Sequence, residues 1–317
     1  MARMEFGRLG KSDLKVSRVG LGGWQFGSRP WGLTDKELIK EIVNTALDLG
    51  INLIDTAEGY GEGFSERVIG EAIRERGDRE DVVIATKVSS WHLRYRDVLK
   101  ACKRSLERLQ TGYIDLYQIH WPHMYTPLKE TMSALERLVD EGKVRYIGLS
   151  NFPPCLIREA VNCLKKYDVV SNQVVYNVVE RDIEEEILPT MRELGIDTIA
   201  YSPLAMGLLT GKYDESSTFP EGDVRSWHPL FTIRSNYLQA LEVVRLLKEI
   251  AGKYGKEVPQ VAINWLLKFD DVFPIFGAKR PEHVVINAGS AGWRLSDEDW
   301  RRITEASNRL NFTFVED

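Results

Sequence analysis

The chain of 317 residues has 43% hydrophobic residues, a formal net charge of −5 and a pI of about 5.7. Its length is at the upper end of what one hydrophobic core spans, and its acidity argues against a nucleic-acid-binding protein that depends on a basic surface. No apolar run approaches the roughly 18 residues of a membrane-spanning helix, so we expect no membrane partner.

The first residues are polar and charged and lack the apolar stretch of a signal peptide, which predicts a cytoplasmic location. The cysteines Cys102, Cys155 and Cys163 show neither a CxxC motif nor metal-ligand spacing. We therefore interpret them as reduced thiols and expect no metal site.

Residues 4–17 alternate around a turn at Gly10–Asp13, which predicts a small β-hairpin. Short runs rich in Val, Ile and Leu then alternate with longer amphipathic segments. The short runs predict eight strands, at Arg18–Gly23, Asn52–Asp55, Val82–Lys87, Ile114–His120, Val144–Ser150, Ser171–Val174, Asp197–Tyr201 and Val272–Phe276. The longer segments predict helices at Asp35–Leu49, Ser65–Ile73, Arg96–Leu109, Thr131–Asp140, Pro154–Lys165, Glu184–Leu194, Tyr237–Tyr254, Pro259–Phe269, Pro281–Ala288 and Ser296–Ser307.

The first five predicted strands end near residues 23, 55, 87, 120 and 150, so one strand and one helix recur every 30 to 33 residues. This spacing indicates parallel strands joined by helices. Eight such units favour an α/β fold closed into a (β/α)8 TIM barrel, with the hairpin at its bottom and extra helices near the C-terminus. No proline-rich or serine-rich linker divides the chain, so we predict one domain over residues 1–317. The connection Ser202–Asn236 is long, and such loops are usually functional.

Three successive predicted strands end in Asp55, Lys87 and His120. The carboxyl ends of barrel strands meet at one mouth, so we expect these side chains to face one another. Singly, each has an ordinary alternative, as a turn former, a solvated lysine or a structural histidine. Together with Tyr60, in a glycine-flanked loop five residues beyond Asp55, they indicate an active site.

These four residue types suit the reduction of a carbonyl group. Hydride addition leaves negative charge on the carbonyl oxygen, which must then receive a proton. A free tyrosine has a pKa of about 10 and is a poor proton donor near neutrality. We therefore expect Lys87 to lower the pKa of Tyr60, while Asp55 keeps Lys87 charged and His120 hydrogen-bonds the substrate oxygen.

At these residues the chain resembles the aldo-keto reductase family, over essentially its full length. The matching segments are Asp55-Thr56-Ala57-Glu58-Gly59-Tyr60-Gly61, Ala85-Thr86-Lys87, Gln118-Ile119-His120-Trp121-Pro122, Gly148-Leu149-Ser150-Asn151, Asn172-Gln173, Ala200-Tyr201-Ser202-Pro203-Leu204 and Gly277-Ala278-Lys279-Arg280. The loop from Ser202 to Tyr213 is most similar to bacterial, general-purpose members. The resemblance implies a (β/α)8 barrel, a nicotinamide cofactor and a catalytic tetrad of Asp55, Tyr60, Lys87 and His120, with Tyr60 as the general acid.

The resemblance also implies a cofactor site, formed by Ser150, Asn151, Gln173, Tyr201, Ser202, Leu204, Gly207, Leu209, Lys212, Gly277, Lys279, Arg280 and Asn287. Lys279 and Arg280 suit the 2′-phosphate that distinguishes NADPH from NADH, although they could also be a solvated basic pair. Ile286 stands where many members carry a glutamate that contacts adenine. We predict NADPH as the cofactor.

The candidate substrate pocket has an aromatic wall, formed by Trp24, Phe26, Trp91 and Trp121. An apolar wall predicts aldehydes and small ketones as substrates, although each of these residues could instead belong to the core. Two other functions stay open: an NAD-dependent polyol or sugar dehydrogenase, and a regulatory subunit that keeps the cofactor, as potassium-channel beta subunits do. The complete tetrad favours the reductase. The oligomeric state and the physiological substrate stay open.

Overall fold

Eight parallel strands close into a barrel in the computed structural model, which describes residues 4–27 and 32–313. Each strand pairs with the next along the chain, and the last pairs with the first. The strands are β3 (Gly20–Gly22), β4 (Leu53–Asp55), β5 (Val83–Val88), β6 (Ile114–Ile119), β7 (Val144–Ser150), β8 (Val169–Val175), β9 (Asp197–Tyr201) and β10 (Val272–Phe276). The predicted (β/α)8 barrel is confirmed.

The predicted hairpin precedes the barrel as β1 (Phe6–Arg8) and β2 (Lys15–Ser17), which pair in antiparallel register. Leu9 and Leu14 in its turn are buried in one cluster with side chains from the barrel strands. Gly10 has a φ of 51°, and a Cβ there would lie 2.2 Å from the carbonyl oxygen of Val170. Only glycine fits this approach, so the turn is seated against the barrel end at which β8 and β9 begin.

The hairpin is also held by Asp197, the first residue of β9, whose Oδ2 accepts a hydrogen bond of 2.6 Å from the Gly10 N–H. Burial of this carboxyl, reinforced by the nearby charge of Asp271, raises its pKa from 3.8 to about 6, against the Gly10 hydrogen bond. A carboxyl whose pKa is raised by folding favours the folded state most at low pH. That contribution is lost as the pH rises from about 4 to about 6.

Asp197→Asn should therefore stabilise the protein at pH 7.5 by about 1 to 2 kcal/mol, with the partial exposure of the group taken into account. Asparagine keeps an oxygen to accept from Gly10 and cannot ionise. Urea unfolding at pH 4.5 and 7.5 gives the measurement, and the stability difference between variant and parent should grow with pH. The same difference at both pH values would contradict the role of burial.

Helices cover the outside of the barrel, as predicted, with ends shifted by a few residues. They are α1 (Lys36–Asp48), α2 (Phe64–Arg76), α3 (Tyr95–Leu109), α4 (Leu128–Asp140), α5 (Pro154–Cys163), α6 (Ile187–Leu194), α7 (Pro229–Thr232), α8 (Arg234–Tyr254), α9 (Val258–Leu266), α10 (Pro281–Ala288) and α11 (Asp297–Ser307). Asp35 caps α1 by accepting from the backbone of Glu37 and Leu38. In the part of the chain that the structure describes, no helix is long and apolar enough to span a membrane.

The connection Ser202–Asn236 is more ordered than a loop. It contains short 3-10 turns at Ala205–Thr210 and Val224–Ser226, then α7 and the start of α8. The ring of Phe219 packs edge to face there on those of Phe231 and Tyr237, with centroids 5.0 and 6.3 Å away. Such tertiary packing stabilises turns that are too short to leave a helical period in the sequence.

Candidate active site

The predicted strand-end residues are brought together by the parallel register of the barrel. Asp55 is the last residue of β4 and pairs with Ala85, two residues before Lys87 on β5. Lys87 pairs in turn with Gln118 on β6, and His120 follows that strand, its N–H donating to the carbonyl oxygen of Val88 at 3.0 Å. Their side chains therefore meet at the carboxyl end of the barrel.

Lys87 is fully buried and lies at the centre of the group. Its Nζ donates to Asp55 Oδ1 at 2.6 Å, to the Thr56 carbonyl oxygen at 2.8 Å and to the Tyr60 hydroxyl at 3.3 Å. Burial opposes the charge on Lys87, but Asp55 and Tyr60 together raise its pKa above the ordinary value. Lys87 is therefore an ammonium ion at neutral pH, held by Asp55 as expected.

Tyr60 differs from the sequence-based expectation in its ionisation. Its ring lies edge to face with His120, with centroids 5.6 Å apart, and Lys87 Nζ lies 4.9 Å from the ring centre. Burial of the hydroxyl raises the pKa of Tyr60, and the opposing charge of Lys87 only partly offsets this. The expected lowering of the pKa is thus wrong for the site as it stands, because the desolvation is larger. Tyr60 keeps its proton at neutral pH.

His120 is neutral in this environment. Burial, reinforced by the charge of Lys87, lowers its pKa from 6.5 to about 3. A neutral imidazole carries one N–H donor and one acceptor nitrogen. His120 can therefore offer a hydrogen bond to an oxygen without supplying a full positive charge.

The second carboxylate oxygen of Asp55 is bound by two amides. Gln173 Nε2 donates to it at 2.8 Å and Gln118 Nε2 at 3.2 Å, and Gln173 also donates to Gln118 Oε1 at 3.3 Å. Gln118 was not among the predicted site residues. The period of two along a strand could have found it, since it lies two residues before His120 on the same strand face.

These groups open onto a cavity of about 880 Å³, within the usual size of cofactor sites. Asp55, Tyr60 and His120 line one part of it. Most of the predicted cofactor residues line the rest, namely Ser150, Asn151, Gln173, Tyr201, Ser202, Leu204, Gly207, Lys212, Gly277, Lys279 and Asn287. Leu209 is fully buried and Arg280 is exposed, and neither belongs to the lining.

Two of the lining side chains after β7 are fixed by hydrogen bonds. Asn151 Nδ2 donates to the Ser150 hydroxyl at 3.0 Å and to the His120 carbonyl oxygen at 3.2 Å. The Tyr201 hydroxyl donates to Asn151 Oδ1 at 3.1 Å. Ser150, Asn151 and Tyr201, all predicted cofactor residues, therefore form one connected group that is joined to the backbone of His120.

The backbone after β9 has an unusual conformation. Ser202, Ala205 and Met206 have φ of 53°, 45° and 52°, and Gly207 follows at 96°. Left-handed values cost non-glycine residues about 1 to 3 kcal/mol each, and such strain clusters at ligand sites. Asn177 holds the turn by donating to the Ser202 carbonyl oxygen at 3.0 Å.

The cavity lining also carries several cations, among them Lys212, Arg225 and Lys279. Burial lowers the pKa of Lys212, and the positive charges of Arg225, Lys279 and Arg280 lower it further. Arg225 also lines the cavity and pairs with Asp223, with Nη2 and Oδ2 2.6 Å apart. It was missed in the sequence because its segment carries no family motif. Cations that crowd one another in this way favour an anionic ligand.

The expected aromatic wall forms only in part. Trp24 and Trp121 line the cavity, with 38% and 50% of their surface exposed. Phe26 lies in the core, fully buried, where its side chain belongs to the main hydrophobic cluster and its backbone pairs with that of Leu33. Trp91 is 78% exposed outside the lining, with its ring against His123. Trp227, on the long connection, lines the cavity instead.

The profile of the aldo/keto reductase family matches residues 18–308. The chain belongs to this family. Aldo-keto reductases are NAD(P)H-dependent oxidoreductases that act on small carbonyl compounds, and this is the class of enzyme to which the chain belongs.

Relatives of this aldo-keto reductase differ in the cofactor that their names state. The chain is 37% identical to aldo-keto reductase YhdN of Bacillus subtilis, over 95% of the chain and 92% of the relative. It is 34% identical to the NADH-specific methylglyoxal reductase of Escherichia coli, over 95% and 98%. The crystal structure of an aldo/keto reductase from Klebsiella pneumoniae with NADP and acetate is 30% identical, with a TM-score of 0.76 and coverage of 99% and 100%.

The side chains that line the cavity of this aldo-keto reductase fit a nicotinamide dinucleotide, because they can supply positive charge and hydrogen-bond donors. Lys212, Arg225 and Lys279 supply positive charge to the lining, which also includes Tyr60 and His120. Gln25 also lines the cavity, and its side-chain oxygen is buried without a hydrogen-bond partner among residues 4–27 and 32–313. A bound molecule with a hydrogen-bond donor would satisfy that oxygen.

Proposed function

We propose that this aldo-keto reductase uses NADPH to reduce aldehydes and small ketones to alcohols, with Tyr60 as the proton donor. The proposal depends above all on one observation, the contact of 3.3 Å between the Tyr60 hydroxyl and the buried ammonium of Lys87. A protonated phenol beside a fixed cation has a proton to give and a charge that stabilises the phenolate left behind.

The four side chains take different parts in this reaction. The cofactor, when bound, supplies the hydride. Tyr60 Oη donates its proton to the carbonyl oxygen, and Lys87 stabilises the resulting tyrosinate across the same hydrogen bond. Asp55 keeps Lys87 charged and in place. His120, which is neutral, donates a hydrogen bond to the carbonyl oxygen and so helps to polarise it.

The cofactor would lie along the lining, in contact with Ser150 and with the cations Lys212 and Lys279. Ser150, Asn151 and Gln173 would hold the nicotinamide amide, and Tyr201 would stack on its ring. Ser202, Leu204 and Gly207 from the strained turn, with Lys212, would hold the pyrophosphate, and Leu209, which is fully buried, would support this segment from the core. Gly277, Lys279, Arg280 and Asn287 would hold the adenosine part.

We expect Lys279→Ala combined with Arg280→Ala to raise KM for NADPH about tenfold or more, and to leave KM for NADH within about threefold. Hydrogen bonds between these cations and a 2′-phosphate are charge-assisted, and only NADPH has that phosphate. The matched control is Lys100→Ala with Lys103→Ala, which removes two exposed lysines from α3. Equal effects on the two cofactors would contradict the assignment of NADPH. The cofactor could then be NADH, as the name of the Escherichia coli relative states for that enzyme.

The reaction itself is tested by following absorbance at 340 nm with aldehydes, small ketones and both reduced cofactors. The reverse assay uses polyols and sugars with both oxidised cofactors. Turnover of carbonyls with NADPH is the expected result. Faster oxidation of polyols with NAD would indicate a dehydrogenase, and cofactor binding without turnover of any carbonyl would indicate a regulatory subunit.

A further inference from the structure

The loop that carries Tyr60 has a strained backbone and few backbone bonds to the barrel. Glu62 has a left-handed φ of 54°, which is strained for a residue with a side chain, and it lies between Gly61 and Gly63, which adopt their φ of 55° and 80° without strain. The loop reaches β5 through the Thr56 N–H, which donates to the Ala85 carbonyl oxygen at 2.8 Å, and through a longer bond of 3.3 Å from Glu58 N–H to Lys87. A strained segment keeps its conformation only where surrounding contacts hold it.

The side chain of Glu58 supplies such contacts, although only 8% of the residue is exposed. Its Oε1 accepts from the Ser89 N–H at 2.7 Å and lies 2.8 Å from His92 Nδ1. Ser89 is two residues beyond Lys87. The carboxylate therefore joins the loop of Tyr60 to the segment that continues directly from Lys87.

The other carboxylate oxygen of Glu58 faces α3. Oε2 lies 3.6 Å from Arg104 Nη2 and 4.0 Å from Arg108 Nη2. Arg108 packs so closely on Gly63 that a Cβ there would lie 2.4 Å from its Cδ, and its Nε lies 2.5 Å from buried Glu66. Arg108 thus supports Glu58 and also contacts the far end of the loop.

We infer that Glu58 is a positioning residue, which holds the loop against the end of β5 and so sets the Tyr60 hydroxyl at Lys87. The inference rests on the proposed role of Tyr60 as proton donor. The contact between Tyr60 and Lys87 is already long at 3.3 Å, and a shift of about 1 Å at a reacting group can cost about 100-fold in rate. Without the carboxylate, the half-buried Ser89 N–H loses its partner, and the backbone at Glu62 can relax toward unstrained dihedral angles.

The first test compares Glu58→Leu with Glu58→Gln. We expect kcat to fall about 10- to 100-fold in Glu58→Leu, with the KM for carbonyl and the Kd for NADPH, from tryptophan fluorescence, close to those of the parent. Glu58→Gln should recover most of kcat, because its side-chain oxygen can still accept from Ser89. A purely structural role would lower the melting temperature and leave kcat per folded molecule unchanged in both variants, which would overturn the inference.

The second test removes the Ser89 N–H donor and keeps the Glu58 acceptor. Ser89 has φ of −64° and ψ of 147°, which proline adopts without strain, so Ser89→Pro deletes the N–H and keeps the backbone path. Ser89→Ala is the matched control, since it keeps the N–H. We expect kcat to fall in Ser89→Pro and to match the parent in Ser89→Ala. This pair decides the question alone if Glu58→Leu does not fold, and parent-like kcat in Ser89→Pro would then overturn the inference.

Failure of the positioning role and failure of the proposed function give different results. If Tyr60→Phe is inactive while Glu58→Leu and Ser89→Pro match the parent, Tyr60 stands as proton donor and Glu58 does not position it. If Tyr60→Phe stays fully active, the proposed function itself is wrong, and the positioning role fails with it.

Discussion

Replacing Tyr60 with phenylalanine should lower kcat for carbonyl reduction by about 10²- to 10⁴-fold, the usual contribution of a positioned proton donor. The ring should keep its place beside His120, so we expect the Kd for NADPH to stay within about twofold of the parent value. Steady-state assays at 340 nm and fluorescence titration give the two quantities. Tyr167→Phe is a suitable control, because the hydroxyl of Tyr167 donates to Asp140 at 2.8 Å on the outer surface. Unchanged kcat in Tyr60→Phe would exclude it as the donor.

The pH dependence of kcat gives a further check on the same residue. The pKa of Tyr60 is raised, so kcat should fall only on the alkaline side, as the donor loses its proton. His120, with a pKa of about 3, stays neutral over the assay range and should add no acid-side loss above about pH 4. An acid-side loss near pH 6.5 would show that His120 titrates as an exposed histidine does.

Lys87→Met should destabilise the protein by about 3 to 5 kcal/mol and also abolish reduction. Methionine leaves the buried carboxylate of Asp55 without its cation, and an uncompensated buried charge is costly. Urea unfolding with fluorescence detection measures the loss. Asp55→Asn combined with Lys87→Met removes both charges and should recover most of the stability while staying inactive. If the single variant were as stable as the parent, the pair at 2.6 Å would not hold the site together.

The grouping of Asp55, Lys87 and His120 could be predicted because a parallel barrel brings the carboxyl ends of all its strands to one mouth. A regular strand spacing was enough to align these residues. Their catalytic roles stay predictions until the variants are made. The hairpin and the eight strands could be predicted for a different reason, because the periodicity of their apolar residues is local and strong.

What could not be predicted depends on three-dimensional surroundings. The pKa of Tyr60 is set mainly by desolvation, which a sequence does not show. The charge of Lys87 lowers that pKa by less than burial raises it. Phe26 lies in the core and Trp227 lines the cavity, and neither position could be predicted because both residues lie outside the strands and helices, where no repeating pattern assigns a side chain to one face. Glu58 stood inside a recognised motif, but its partner Ser89 becomes its neighbour only when the barrel forms.

Two groups of side chains that line the cavity come from separate stretches of the chain. Residues 55–120 supply the side chains around Lys87, whereas the strained turn and the cations belong to residues 202–279. Under the proposed roles, mutation in the second stretch can alter the choice of nucleotide and leave the first stretch intact. Such an enzyme can diversify by changing its nucleotide cofactor and its catalytic chemistry in independent steps. A designer could likewise redesign one of the two stretches and keep the other.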